Sequence, residues 1–423
     1  MWGDTVKKLA AIGTALALSA GFVLQASGAH AQSASTPGVT KDEITVGVTY
    51  VDLKAIRDIV QLDHGDYEAA YKAVADDINA KGGINGRRLK LVFAPVNPVG
   101  TASAEAACVK LTQDTPVFAV VGFFQNDTPL CFVEQNGTPV VGGNITTDYL
   151  ARAQAPWYSP NAGDGTVNQV IDGVASEGVF KKAKVGVVGT AGQKALIDGV
   201  ILPALKRNKV KATTALIDVA ANDTVAAQQQ AGVIAERFKS QGIDTVVVAG
   251  NAFVTFAQAL EKTDYRPRLI ATDRETYLGY VENPQHSKSV LEGALSGGPA
   301  RDPDEPGYRR CIGVIEAKTG TQIPPAETIT DDRLPNPDIS AQNACFNLGL
   351  FAAMATGAGK NLTVASFGKA GKKLGVIDLP GYGKVAYDSK THALALPVKL
   401  TRYNSATDES PDDAEPVGVK SAK

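Results

Sequence analysis

INAKGGINGRRLKLVF, residues 78–93, holds a helix end, a sharp turn and a strand start. Upstream of it, Tyr67, Tyr71, Val74 and Ile78 recur every three to four residues. Glu68, Lys72, Asp76 and Asp77 fall between them. That pattern gives a helix one buried stripe and one wet face. Gly82 and Gly83 end the helix, because glycine reaches the left-handed cap conformation at little cost. Asn85-Gly86 turns the chain, and Leu89, Leu91 and Phe93 resume with a period of two. Residues 44–50 (ITVGVTY) are β-branched and read as a strand. Strand, helix, strand is a βαβ unit, with parallel pairing and a right-handed crossover.

The run DDINAKGGINGRRLKLVF, residues 76–93, comes after a strand and a helix near a mature N-terminus. In that setting it resembles the first βαβ unit of type I periplasmic binding proteins. The branched-chain amino-acid-binding family of ABC importers is the nearest likeness. The order and spacing of elements carry the resemblance over residues 44–403. GGINGR is fairly specific to that family and says nothing of the ligand. The resemblance implies two doubly wound parallel-sheet lobes joined by a three-crossing hinge.

At 423 residues the chain predicts two domains rather than one. Its 44% hydrophobic and 20% charged residues are those of a soluble globular protein. Lys7 and Lys8 precede an apolar run over residues 9–24, followed by Ala29-His30-Ala31. This is the pattern of a secretory signal cleaved after Ala31; the run is short for a membrane anchor. Cleavage removes Asp4, Lys7 and Lys8 and takes the formal charge from −2 to −3. A mildly acidic chain without basic runs argues against nucleic acid. The first cysteine is Cys108, so none stands at the cleavage site to take a lipid. The expected location is therefore free in the periplasm or medium.

Cys108, Cys131, Cys311 and Cys345 form an even set in an exported chain. Three pairings are open. Cys108–Cys131 with Cys311–Cys345 is the favoured one, each joining neighbouring helices. No CxxC occurs, and only His64, His286 and His392 remain after cleavage, so no metal site and no cofactor are expected.

Further along, βαβ units continue to residue 147, and residues 156–160 (PWYSP) make a first hinge crossing. A second set of alternating strands and helices comes next, including a helix over 224–240 capped by Asn222 or Asp223. Residues 291–299 make the second crossing. Helices over 308–318 and 341–355 return to the first lobe, around a polar, proline-rich segment at 323–338. A last strand over 393–403 crosses back. The expected lobes are 42–156 with 298–386, and 157–297 with 387–404. Residues 405–423 are acidic, lack aromatics and read as a disordered tail.

In open parallel sheets, ligands lie beyond the carboxyl ends of the strands, where helix N-termini offer free N–H groups. Two such loops in the first lobe are Asn126-Asp127-Thr128 and Asn144-Ile145-Thr146. In the resembling family these loops hold a ligand α-carboxylate. Asn126 stands where a serine is usual, and Thr146 where a threonine is usual. Helix capping alone is the plainer reading of both. The second lobe offers Thr190 to Gln193, then Asn251-Ala252-Phe253, then Asp273-Arg274-Glu275. The family places an aromatic in each of the first two and an acid in the third. Here the first loop has no aromatic; Phe253 fits the second, and Asp273 or Glu275 the third. Arg274 can instead neutralise the acid, which favours an anionic or amide ligand. His64, beside Asp63, falls at a wall position of the family, and Phe123 or Phe124 can line the cleft.

Other motifs fail. Gly357-Ala358-Gly359-Lys360 lacks the following Ser/Thr and the earlier glycine of a phosphate loop. No G-x-S-x-G elbow is present. The expected function is capture of a small polar solute, an amino acid, amide or carboxylate, for an ABC permease. The protein is expected to be a monomer and not an enzyme. A ligand-sensing module for a membrane receptor is the main alternative, and a secreted hydrolase a weaker one.

Overall fold

The computed structural model describes residues 36–58, 62–124, 127–160, 163–220, 223–329, 334–388 and 391–404. The expected signal sequence, Asn126 and the expected tail lie outside the described residues. Among the described residues, no helix is long and apolar enough to cross a membrane.

The opening stretch folds as its pattern dictates. Helix Tyr67–Ala80 is capped by the Asp66 side chain, which accepts from the Ala69 N–H. Gly82 and Gly83 take positive φ, and the chain turns at Asn85-Gly86 into a strand at Arg88–Val96. Five parallel strands make the first sheet: β1 (Glu43–Val51), β2 (Arg88–Val96), β3 (Ala119–Gly122), β4 (Val140–Gly142) and β5 (Trp157–Tyr158). Their order is β2-β1-β3-β4-β5. Both faces are covered. Val46, Val48 and Val121 pack with Tyr71 and Phe351 on one side, and Val120 and Val140 pack with Leu111 and Phe132 on the other. Strands buried on both faces explain the unbroken apolar runs in the sequence.

The second sheet has six strands: β6 (Val185–Thr190), β7 (Ala212–Ile217), β8 (Thr245–Val248), β9 (Arg268–Ala271), β10 (Leu295–Pro299) and, after the third sheet, β14 (Val398–Arg402). Their order is β14-β10-β9-β8-β6-β7, with β14 antiparallel to β10. A small antiparallel sheet joins β11 (Val376–Leu379), β12 (Gly383–Asp388) and β13 (Ala393–Ala395). The molecule is thus a two-lobed α/β protein with parallel sheets.

Several elements differ from the sequence expectation: Trp157–Tyr158 and Leu295–Pro299, expected in the crossings, form β5 and β10 of the two sheets, and β11 and β12 were not anticipated. The single strand expected over 393–403 is split into β13 and β14 at Pro397, whose missing N–H cannot continue a ladder. A helix at Val364–Lys372, opened by a Thr363–Ser366 capping box, was not anticipated. Helix Thr224–Ser240 is capped by Asp223, whose side chain accepts from Ala226 N–H; Asn222 is outside the described residues.

The four cysteines form Cys108–Cys131 and Cys311–Cys345, with Cα atoms 6.4 and 6.2 Å apart. The second joins helices Pro306–Thr319 and Pro337–Gly357. Beside it lies a buried polar cluster. Asp338 accepts from the Arg301 guanidinium at 2.8 Å, from the Tyr308 hydroxyl, and from Ala326 N–H at 3.1 Å. Arg301 also lies over the Tyr308 ring, 4.9 Å from its centre. The proline-rich segment is thereby pinned to the first sheet's helices.

Candidate functional site

The loop after β4 of the first sheet is bonded to the helix that packs on the second sheet. Thr147 follows the loop after β4, and Asp164 opens helix Asp164–Ser176, which packs on β10 and β14. Running antiparallel to the strands, that helix presents its N-terminus at their carboxyl edge. Thr147 donates to one Asp164 oxygen through both its N–H, at 3.1 Å, and its hydroxyl, at 2.9 Å. Burial pushes the Asp164 carboxyl up, while the two Thr147 bonds pull it down. Gly163, at φ +46°, makes the approach possible: a Cβ there would stand 2.5 Å from Ile145 O.

Lobe-one loops leave the sheet through glycines at positive φ, where a Cβ would meet backbone oxygens. Gly122 ends β3 at φ +122°, and Gly142 ends β4 at φ +128°. A Cβ would lie 2.1 Å from Thr49 O at the first and 2.3 Å from Gly122 O at the second. After β3, Asp127 is exposed. After β4, Asn144 is exposed, and Thr146 caps helix Thr147–Arg152 by accepting from Tyr149 N–H at 3.2 Å.

In the second sheet the candidates are tied to one another. Gln193 accepts from Thr190 N–H at 2.9 Å and donates to Asn251 Oδ1 at 2.8 Å. One amide therefore bridges the loops after β6 and β8. The Thr272 hydroxyl ties β9 to β8, donating to Val248 O and accepting from Gly250 N–H. Asp273 next to it caps helix Arg274–Glu282 by accepting from Thr276 N–H. Phe253 is placed differently from the expectation. It is 1% exposed and packs edge-on against Tyr277 and Tyr280 inside the lobe. The helix after Asn251 turns it inward, so it adds to the core rather than to a cleft wall.

His64 stands apart from these loops. It lines a cavity of about 720 Å³ with Tyr50, Asp52, Arg57, Glu68 and Lys72, at the carboxyl end of β1. None of the other described candidates lines that cavity. The His64 Nδ1 is 2.9 Å from the Tyr67 hydroxyl, and burial holds its pKa below 6.5 against the opposing pull of Asp63. Backbone bonds from Asn336 N–H to Asp63 O and from Ser340 N–H to His64 O fix this loop on the proline-rich segment. Sequence patterns single out neither the Thr147–Asp164 contact nor the Gln193–Asn251 bridge, since both join residues distant along the chain. Among the described residues, no group of three or more His, Cys, Asp or Glu side chains could hold a metal ion.

A family profile described as periplasmic binding protein matches residues 63–408. A search of curated protein sequences gives no match. Among solved structures, a periplasmic binding protein type 1 from Bordetella pertussis shares 15% identity, with a TM-score of 0.59 over 89% of this chain and 100% of that one. A substrate-binding protein of an ABC transporter from Desulfitobacterium hafniense, in complex with Leu, shares 14% identity, with a TM-score of 0.57 over 86% and 98%. A solute-binding protein of an ABC transporter from Rhodopseudomonas palustris, in complex with p-hydroxybenzoic acid, shares 16% identity, with a TM-score of 0.55 over 86% and 93%. At these identities the likeness is one of fold.

Proposed function

Because the chain belongs to the periplasmic binding protein family, we propose that its lobes capture a small polar solute between them and deliver it to an ABC permease. The Thr147–Asp164 contact carries this reading. It joins the loop leaving β4 of the first sheet to the N-terminus of the helix that packs on β10 and β14 of the second, and such folds bind ligands beyond the carboxyl edges of their strands. Asn126, Asp127, Asn144 and Thr146 supply the first lobe's side of the site. Thr190, Gln193, Asn251 and Asp273 supply the second, and His64 a side wall. The lobe limits belong to the same reading: 42–156 with 298–386, and 157–297 with 387–404. Amino acids, amides and carboxylates are the solute classes, in keeping with the ligands named for two structures of this fold. The location is extracytoplasmic, and the action is binding without turnover.

Closure on a ligand couples affinity to lobe position, since only the closed form contacts it from both sides. The test is a thermal-shift screen of protein refolded once from denaturant to strip carried-over solute. It covers amino acids, amides, dicarboxylates and aromatic acids. A ligand at a hundred times its Kd adds about 2.7 kcal/mol of stability. One class should raise the midpoint, and Asn126→Ala or Asn251→Ala should remove that rise. A rise that survives both substitutions places the ligand elsewhere, and consumption of a candidate substrate would overturn the binding reading.

A further inference from the structure

At the end of the second sheet opposite its carboxyl edge, where its strands begin, basic side chains collect. A surface cleft of about 870 Å³ is lined by Lys181, Lys184, Lys209 and Lys211. A second, of about 350 Å³, shares Lys181 and adds Lys182, Arg266 and Arg268, with Asp244 and Glu292 as the acids in its wall. Nearby acids already face other cations: Asp264 pairs with Lys239, Glu177 with Arg402 and Asp172 with Arg207. A formal charge of −2 for the whole chain makes this concentration of positive charge a local feature. Crowded like charges repel, and an anionic partner relieves that repulsion.

The strand register shows where the chain leaves the sheet. Arg402 pairs with Leu295, which is level with Ile270, Val247, Val187 and Thr214 across the sheet. The ladder continues through Tyr403, which exchanges bonds with Ala294 O and Gly293 N–H. Two residues beyond Arg402, Asn404 is therefore level with Arg268, Thr245, Val185 and Ala212, all of them lining residues of the two clefts. Beyond Asn404 the chain carries Asp408, Glu409, Asp412, Asp413 and Glu415, with no base before Lys420.

We propose that the acidic stretch 408–415 of this chain docks along the basic strand-start face of the second lobe. The lengths agree. From β14 to β6 is four strand spacings, about 19 Å, and to β7 about 24 Å. At about 3.4 Å per extended residue, Asp408 reaches about 14 Å from Asn404 and Glu415 about 37 Å. The acids thus come within range of both clefts. Tethering raises their effective concentration to about the millimolar range, which gives this segment an advantage over an external anion.

The experiment uses the full chain and a variant with D408N, E409Q, D412N, D413N and E415Q. Lysine acetylation is followed residue by residue, with exposed Lys318 and Lys369 as internal references. In low salt, Lys181, Lys184, Lys209 and Lys211 should react roughly fivefold faster in the variant, and about 1 M NaCl should erase the difference. A second variant, K181Q/K184Q/K209Q/K211Q, should be cleaved several-fold faster after Glu409, which precedes Ser410, by a glutamate-specific protease. Equal lysine rates in low salt, or an unchanged cleavage rate, would overturn the proposal. So would equal protection of the four lysines by phosphatidylglycerol vesicles in both the full chain and the tail variant, which would assign the face to an external anionic surface.

Discussion

Replacing Asp338 by alanine should cost far more than removing any exposed acid of this protein. Its side chain is 3% exposed and that of Arg301 8%, and three donors converge on it. Truncation leaves a buried guanidinium without that carboxylate, and breaking a buried pair in this way costs about 3–5 kcal/mol. Asp304 offers the control. It pairs with Arg309 at 3.2 Å, but at 81% and 44% exposure, where such pairs are worth about 0–1 kcal/mol. Urea unfolding of ligand-free protein, followed by tyrosine fluorescence and circular dichroism, measures both. Asp338→Ala should lose about 4 kcal/mol, and Asp338→Asn less, because an amide oxygen still accepts from Tyr308 or Ala326. The loss should also loosen the loop at 63–65, since Gly65 packs on Pro337 and the Asn336 N–H bonds to Asp63 O. If Asp338→Ala and Asp304→Ala cost the same, the buried cluster is not what holds the proline-rich segment.

Gly122→Ala should cost at least about 1–3 kcal/mol from backbone strain alone, and more from the 2.1 Å approach to Thr49 O, as read by thermal unfolding; a neutral result would mean the loop after β3 leaves the sheet by another path. Gln193→Ala should weaken solute binding in titration calorimetry while changing stability by less than about 1.5 kcal/mol, since it removes one bridge between exposed loops. Unchanged affinity would take that bridge out of the site. Burial holds both His64 and His392 below 6.5, so the unfolded chain binds protons more readily than the folded one. Their contribution is present above pH 6.5 and is lost as pH falls through the folded values. His392→Gln should flatten the decline in melting temperature below pH 6.5, and an unaltered slope would exclude His392 as a source of it.

Much of the fold was legible because local rules and tertiary packing agree. The three-to-four spacing from Tyr67 to Ile78, the glycine pair after it and the cap at Asp223 each name an element end that the structure keeps. Of the three open cysteine pairings, the favoured one is the one present. The parts that stayed hidden depend on partners far along the chain. Periodicity marks Phe253 as apolar but cannot say whether it faces a cleft or Tyr277 and Tyr280. Thr146 was read as a ligand residue or a cap, and Asp273 as a ligand residue or an acid neutralised by Arg274, and both cap; capping uses the same oxygens that a ligand would, so sequence alone leaves the two roles superposed. The separation of β13 from β14 hung on one proline within an otherwise strand-like run.

Both disulfides tie together elements that pack on the first sheet, whereas none ties elements of the second. Closing loops of 23 and 34 residues is worth about 3.5 kcal/mol each in chain-entropy terms. The order of melting then becomes a readout of redox state. In oxidant the second lobe should give way first on heating, and a reductant should bring the first lobe down to meet it or pass below it. Before oxidation the first lobe lacks this contribution, so the chain acquires that part of its resistance to unfolding only where thiols become disulfides.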